Sequence, residues 1–256
     1  MNQENENINS LIKKIESLSL TEMLDVIVKH YGDDLILASS LGLEDQLLTY
    51  HLVNINPKMR IFVLDTGRLN QETYDVLAKT KEKYNINYEI YFPDQNKVER
   101  LIANKGPNSF YESVENRKEC CHIRKTESLD RVLKTAKAWI TGLRKNQSVT
   151  RTDLKLCEYD QSRNMIKINP LINWSYEEIF NDIKRYEIPY NVLHEQGYPS
   201  IGCAPCTRAI QPGEDQRAGR WWWETPEQKE CGIHIVDGKI VRKKRRKSSE
   251  SNRIKK

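Results

Sequence analysis

The chain has 256 residues, 38% of them hydrophobic and 30% charged, and it contains six cysteines at a formal net charge of +5. No apolar run approaches the eighteen residues or so that a membrane span requires, and the polar start MNQENENINSLIKK lacks the pattern of a secretory signal. We therefore expect a cytoplasmic protein with reduced thiols, in which clustered cysteines bind a metal or take part in catalysis.

The charge is distributed unevenly along the chain. The tail 241–256 holds nine Lys or Arg against one Glu, a net charge of +8, which leaves −3 for residues 1–240. We expect residues 1–240 to form one domain, with a helical extension over roughly the first 30 residues. The tail has too few apolar residues to fold alone, so we expect it to be disordered. Weak binding of a polyanion is the alternative for the tail, although nucleic acid is not an expected partner.

Strand and helix patterns alternate along residues 34–186. Strands are predicted at 34–40, 59–67, 87–92, 138–144 and 165–171, and helices at 44–53, 70–84, 125–136 and 175–186. The last helix begins with a capping box, in which Ser175 is the N-cap and Glu178 follows three residues later. This alternation predicts an α/β fold with a mostly parallel sheet and helices on both faces.

Two predicted strand-to-helix turns carry small polar residues suited to binding an anion. Ser39 and Ser40 end the first strand and Gly42 follows it, and Thr66 and Gly67 end the second. In open α/β sheets, ligands bind beyond the carboxyl ends of the strands, where helix N-termini present free N–H groups. The chain lacks both the Walker lysine and the GxGxxG pattern, so neither ordinary nucleoside triphosphate binding nor dinucleotide binding is indicated.

Four of the six cysteines form two distant pairs, Cys120 with Cys121 and Cys203 with Cys206. Free cysteines are often apolar core residues, but four thiolates can also hold zinc or an iron–sulfur cluster. Adjacent cysteines point in different directions and are hard to combine on one small ion. A 4Fe–4S cluster offers a separate iron to each thiolate, so the pattern favours the cluster over zinc.

Several motifs together resemble one enzyme family. The paired cysteines are followed by Arg-Lys, and the segments GCAPCTRAI, GRWWWE and ECGIH come later in the chain. In this order they resemble the assimilatory adenylylsulfate reductases of the sulfonucleotide reductase family, which have the adenine-nucleotide α-hydrolase-like (PP-loop) fold. The likeness runs from about residue 35 to residue 234. It implies that the four paired cysteines ligate a 4Fe–4S cluster and that Cys231 is the nucleophile.

The resemblance also implies the reaction and its partners. Adenosine 5′-phosphosulfate (APS) would be reduced to sulfite and AMP through an S-sulfocysteine on Cys231, with thioredoxin or glutaredoxin as the electron donor. His234 would supply charge or a proton to this step. Lys125, one helical turn after Cys121, would lie beside both the cluster and the sulfate. The further cations expected to bind the sulfate and phosphate are Arg144, Arg217 and Arg220.

Other functions remain open at this point. A reductase that accepts both APS and its 3′-phosphorylated form (PAPS) is one alternative. A PP-loop enzyme that thiolates tRNA is another, but it predicts an SGGxDS-type loop where this chain has ASSLGLED. A zinc-stabilised module without enzymatic activity is the third. The sequence leaves the oligomeric state open, and a homo-oligomer is possible.

Three further features have simpler interpretations. We expect Trp221, Trp222 and Trp223 to pack in the core, and Cys157 to be an isolated cysteine that is buried or partly exposed. His194 precedes the second cysteine pair, and we expect it to fix the conformation of that loop.

Overall fold

The computed structural model describes residues 2–147 and 154–225. The described residues form eight α-helices and six strands, each numbered in chain order. The helices are α1 (Asn2–Ile15), α2 (Leu20–Tyr31), α3 (Leu43–Ile55), α4 (Gln71–Tyr84), α5 (Gln95–Lys105), α6 (Val114–Cys121), α7 (Glu127–Leu133) and α8 (Tyr176–Arg185). The strands are β1 (Leu35–Ser39), β2 (Arg60–Leu64), β3 (Glu89–Tyr91), β4 (Ala138–Ile140), β5 (Cys157–Asp160) and β6 (Met165–Ile168).

The six strands form one sheet in the order β3-β2-β1-β4-β6-β5. All neighbours are parallel except β5 and β6, which are antiparallel. The chain first builds outward from β1 through β2 to β3 and then crosses to β4 on the other side of β1. The strand order therefore reverses between β1 and β4, which is where ligands bind in sheets of this kind.

Alternating side chains of the strands pack into separate cores on the two faces of the sheet. Leu35 and Leu37 of β1 belong to the core built with α1, α2, α3 and α8, whereas Ile36 packs with Phe62, Trp139 and residues of α7. This alternation is the two-residue period of a strand. The predicted α/β fold, with a mostly parallel sheet between helices, is confirmed.

Local signals placed most of the predicted elements within a few residues. Ser175 caps α8 by accepting a hydrogen bond from the backbone N–H of Glu178, and the Glu178 side chain accepts from the backbone N–H of Ser175, so the predicted capping box is confirmed. α3, α4 and α8 lie where the periodicity predicted them. The predicted helix 125–136 is shorter, because it becomes regular only at Glu127.

Three elements escaped prediction: α5, α6 and β5. The helix α5 buries only Leu101, so its apolar face is too narrow to give a clear periodic signal. The strand β5 has four residues and lies at the antiparallel edge of the sheet, where a short run such as CEYD carries little pattern.

Candidate active site

A cavity of about 230 Å³ opens at the carboxyl ends of β1, β2 and β4. This position is the reversal of strand order expected from the topology. The cavity is closed on its other side by the segment that carries the second cysteine pair. The predicted site residues that line it are Ser39, Ser40, Gly42, Thr66, Cys121, Lys125, Arg144, Cys203, Cys206, Arg217 and Arg220.

The loop after β1 is organised by a buried carboxyl group that the sequence interpretation missed. One oxygen of Asp45, Oδ2, accepts hydrogen bonds from the backbone N–H and the hydroxyl of Ser40, both at 2.6 Å. Burial raises the pKa of Asp45 to about 6, although the bonds from Ser40 act in the opposite direction. Glu44 raises this pKa further and Lys125 lowers it. Ser40 therefore lies at the cavity as predicted, but its donors are already used by this chain.

The loop after β4 packs directly on the start of α3. A methyl group on Gly142 would lie 2.4 Å from Oδ1 of Asp45 and 2.7 Å from Cβ of Glu44, so only glycine fits. Two residues further on, Arg144 is 2% exposed and its Nε donates to Oε1 of Glu44 at 2.9 Å. Gln147 donates to the same oxygen at 2.8 Å. Arg144 thus lines the cavity as predicted, but Glu44 compensates its charge.

The two cysteine pairs meet on the other wall of the cavity. Cys121, Cys203 and Cys206 line it, whereas Cys120 does not. All four pack in the apolar cluster that contains Ile36, Phe62 and Trp139. Burial raises the pKa of Cys120 and raises that of Cys206 to about 12. As isolated thiols in this setting they would be inert, because the nucleophile is the thiolate.

The loop after β2 contacts the residues around the paired cysteines. The Thr66 hydroxyl lies 3.1 Å from Sγ of Cys203, and the Thr66 carbonyl accepts a hydrogen bond from Arg124 at 2.8 Å. Gly67 was predicted to bind substrate, but it does not line the cavity and instead packs beside Arg124. The hydroxyl and carbonyl of Thr66 therefore form contacts with the cavity wall that carries the cysteines.

The donor set fits an iron–sulfur cluster in type and number. Four thiols from two pairs share one apolar region, as in clusters ligated by four cysteine thiolates. Among residues 2–147 and 154–225, no group of three or more His, Cys, Asp or Glu side chains is gathered tightly enough to hold a metal ion. The cluster accordingly stays a proposal, made below on the chemistry of the donors.

A π-helix, His122–Thr126, connects the paired cysteines to α7. The spacing of a regular α-helix predicts Lys125 on the face of Cys121. The structure has a π-helix there instead, with a wider hydrogen-bond spacing. Lys125 nevertheless reaches the cavity wall, four residues after Cys121, which also lines it. Single turns of π-helix are rare and occur often at functional sites.

The last described segment supplies two cations to the cavity. Arg217 and Arg220 both line it, and Nη1 of Arg220 donates to the Ile201 carbonyl at 3.2 Å. Arg220 lies flat against Gly202, where a methyl group would be 2.3 Å from its Nη2. Within the part of the chain that the structure describes, Arg220 makes no salt bridge. Its charge is therefore available to an anion in the cavity.

Residues 34–209 match the family model described as the phosphoadenosine phosphosulfate reductase domain. The chain belongs to this family. It is 48% identical to the adenosine 5′-phosphosulfate reductase of Burkholderia cepacia, over 86% of this chain and 90% of that protein. It is 49% identical to the protein of the same name from Allochromatium vinosum, over 79% of each chain.

Solved structures agree on the fold. The phosphoadenylyl-sulfate (PAPS) reductase of Candida auris superposes with a TM-score of 0.68 at 28% identity, covering 80% of this chain and 97% of that one. Yeast FAD synthetase superposes with a TM-score of 0.54 at 14% identity, covering 79% of this chain and 68% of that one, a likeness of fold alone. The sheet thus has the PP-loop fold that the sequence predicted.

The structure also places the three features that had simpler interpretations. His194 lines the cavity, and burial lowers its pKa, so it is a neutral wall residue as well as part of a loop. Trp221 is buried as predicted, but Trp222 is 39% exposed. Cys157 is buried, and no predicted function falls on it.

The predicted nucleophile and its neighbour, Cys231 and His234, lie outside the described residues, as does the basic tail. Within the described residues, no helix combines the length and the apolar character that a membrane crossing requires.

Proposed function

We propose that this protein reduces adenosine 5′-phosphosulfate to sulfite and AMP, with thioredoxin or glutaredoxin as the electron donor, in assimilatory sulfate reduction. One observation carries the proposal. A single cavity at the reversal of strand order joins a cationic wall, made by Lys125, Arg217 and Arg220, to three of the four paired cysteines. The relatives named for this activity, which match most of the chain, support the same substrate.

The proposed reaction has two sulfur-transfer steps. The Cys231 thiolate attacks the sulfate sulfur and forms an S–S bond, while the S–O bond to AMP breaks and AMP leaves with the electron pair. A thiolate of the donor then attacks Cys231 and breaks that S–S bond, so sulfite leaves with the electron pair. The donor's second thiol closes its disulfide and returns the Cys231 thiol. The donor supplies both electrons, and sulfur is reduced from sulfate to sulfite.

The described residues bind and orient the substrate in this proposal. Arg217 and Arg220 present guanidinium groups whose planar fork matches the oxygens of a phosphate or a sulfate. Lys125 adds a point charge from the cysteine wall. Because AMP leaves as an anion, cations fixed beside the breaking S–O bond stabilise the transition state. Arg144, whose charge Glu44 compensates, holds the shape of the opposite wall.

The four paired cysteines would hold a 4Fe–4S cluster. When bound, such a cluster would crosslink the two cysteine pairs and place a fixed negative charge beside Lys125. We assign it no part in electron transfer, because thiol exchange accounts for both electrons.

The proposed activity is tested with protein purified without oxygen. With APS and reduced thioredoxin we expect sulfite and AMP in equal amounts, and the 3′-phosphorylated substrate should be used at least about ten times less efficiently. Equal efficiency would replace the proposal with a dual-substrate reductase, which the likeness to the Candida auris enzyme would then explain. Absence of sulfite from both substrates would overturn it.

The cluster is tested by iron and acid-labile sulfide analysis. We expect both in the wild type and a loss of both in Cys206→Ser. The matched control is Cys157→Ser, because Cys157 is also buried but lies in the core on the opposite face of the sheet. Stoichiometric zinc without iron in the wild type would contradict the proposal.

The reducing chemistry also predicts a cytoplasmic location, which remains part of this proposal.

A further inference from the structure

A buried ion pair joins the cysteine wall to the end of the described chain. Nε of Arg117 donates to Oε1 of Glu224 at 2.8 Å, and Nη2 donates to Oε2 at 2.7 Å. The two side chains are 1% and 2% exposed. Arg117 lies on α6, three residues before Cys120, and neither partner lines the cavity. Such a pair offsets the desolvation of its charges only when its geometry is good, as it is in the two short hydrogen bonds here.

The pair fixes Trp221, whose backbone is held in an unfavourable conformation. Trp221 has a φ of +41° and is 2% exposed. A bulky residue rarely adopts this region, so the backbone is strained there. Its backbone N–H donates to the Cys206 carbonyl at 3.1 Å, and its own carbonyl accepts from the backbone N–H of Glu224 at 2.8 Å. The ion pair and these bonds together enforce the turn.

The indole ring of Trp221 in turn faces the arginines of the cavity. The Cζ atom of Arg117 lies 4.8 Å from the ring centroid, and that of Arg220 lies 4.7 Å from it. Cζ of Arg217 lies 6.0 Å from the same centroid. Guanidinium groups at these distances are attracted to the ring. Glu224 compensates the charge of Arg117, the one of these three arginines that does not line the cavity.

We propose that Arg117 and Glu224 are positioning residues, which act through Trp221 to orient Arg220 and Arg217 toward the substrate's anionic groups. The inference rests on the proposed function, and it adds two residues outside the cavity that hold the substrate-binding arginines in position. Arg220 is set on one side by Gly202 and the Ile201 carbonyl and on the other by the Trp221 ring. Without the ion pair, the turn at Trp221 loses the contact that offsets its strain. Arg220 then loses the indole ring that holds its guanidinium in place.

The test compares a charged ligand with an uncharged one in the Cys231→Ser background, where APS is expected to bind without reacting. Glu224→Gln should weaken the affinity for APS about tenfold and leave the affinity for adenosine unchanged. Arg117→Lys keeps the charge but loses the planar fork, and it should give a smaller loss of the same kind. Isothermal titration and competition between the ligands measure both affinities.

The matched control is Asp160→Asn. Asp160 is 4% exposed and pairs with Arg163 at 2.8 Å, and neither residue lines the cavity. This variant should lose thermal stability as Glu224→Gln does, but bind APS like the parent. Equal weakening of APS and adenosine in Glu224→Gln would show a general structural role and overturn the inference. Unchanged APS affinity would overturn it as well.

A double variant separates affinity from stability. Replacing both partners with methionine removes the buried charges together, which is often neutral for stability. We expect Arg117→Met with Glu224→Met to unfold near the parent's temperature and still bind APS more weakly. Parent-like APS affinity in the double variant would show that the guanidinium is not needed. If the parent itself does not bind APS, the proposed function fails rather than this inference.

Discussion

The two arginines Arg144 and Arg220 line the same cavity in different electrostatic settings. Arg144 lies on the strand wall, formed by the loops after β1 and β4, and its guanidinium is paired with Glu44. Arg220 lies on the C-terminal wall, formed by residues 199–221, where an indole ring and a backbone carbonyl hold it without a carboxylate among the described residues. A residue's presence in a cavity therefore does not show that its charge is available to a ligand. The strand wall is internally neutralised, and the C-terminal wall is where an anion finds cations.

The largest effect is expected from Cys231, the predicted nucleophile in the C-terminal part of the chain. Wild-type enzyme mixed with APS and no dithiol should release about one AMP per active site and then stop. Cys231→Ser should release none, because a serine hydroxyl at neutral pH is a far poorer nucleophile than a thiolate. Rapid-quench measurement of AMP and mass spectrometry for an added SO3 on the Cys231 peptide check this. An adduct on another cysteine would end the mechanism.

The second prediction compares the two arginines directly. Arg220→Ala should lower kcat/KM for APS about 100-fold, close to 2.7 kcal/mol, because charge-assisted bonds to the substrate are lost. Arg144→Ala should act mainly on stability, at about 3 kcal/mol, because it removes the cation that compensates the carboxylate of Glu44 and leaves only the hydrogen bond from Gln147. Steady-state kinetics and urea unfolding distinguish the two. Similar losses of kcat/KM with unchanged stability in both variants would remove the distinction between the walls.

A third prediction uses the carboxyl group of the strand wall. Because burial raises the pKa of Asp45 to about 6, the folded protein binds more protons than the unfolded chain between about pH 4 and 6. The free energy of unfolding should therefore fall as pH rises through this window and level off above it. Asp45→Asn should remove this part of the pH dependence, which amounts to about 3 kcal/mol for a shift of about two pH units.

Urea unfolding of both proteins at pH 4.5 and pH 7 checks the Asp45 prediction. The difference in stability between variant and wild type should favour the variant more at pH 7. Parallel pH profiles would show that Asp45 has an ordinary pKa in the folded protein.

The smallest effect is expected from the end of the chain. Removing residues 243–256 should change iron content and turnover by less than about twofold, because Cys231 and His234 precede the cut and solvated like charges contribute little to folding. Sulfite assays at low and moderate salt measure this. A large loss of turnover would show that the basic tail takes part in substrate or donor binding.

Sequence patterns predicted the parts of this molecule that depend on local signals. Strands with a continuous apolar run and helices with a clear apolar face were placed correctly, and Ser175 was identified as a cap. The strand ends then located the cavity, since Ser39 and Ser40 lie at the end of β1 and Thr66 lies just beyond β2. The four paired cysteines share one apolar cluster, and their role as ligands stays a prediction.

What the sequence did not predict depends on contacts between distant segments. The partner of Arg117 lies 107 residues away at Glu224, and no spacing rule connects the two. Glu44 lies 100 residues from Arg144 and compensates its charge. Arg144 is therefore in the cavity wall, as expected, but its charge is already paired. The π-helix after Cys121 arises within a segment whose composition suits an ordinary helix. For Arg117 and Arg144, tertiary packing decides the role of a residue that the local pattern only places.

The contact of Gly142 with the start of α3 limits how this cavity can change during evolution. A single added methyl group at position 142 would collide with Glu44 and Asp45 together, so no replacement at one of those positions could relieve it. Changes in the loop after β4 and in the first turn of α3 must therefore be acquired jointly.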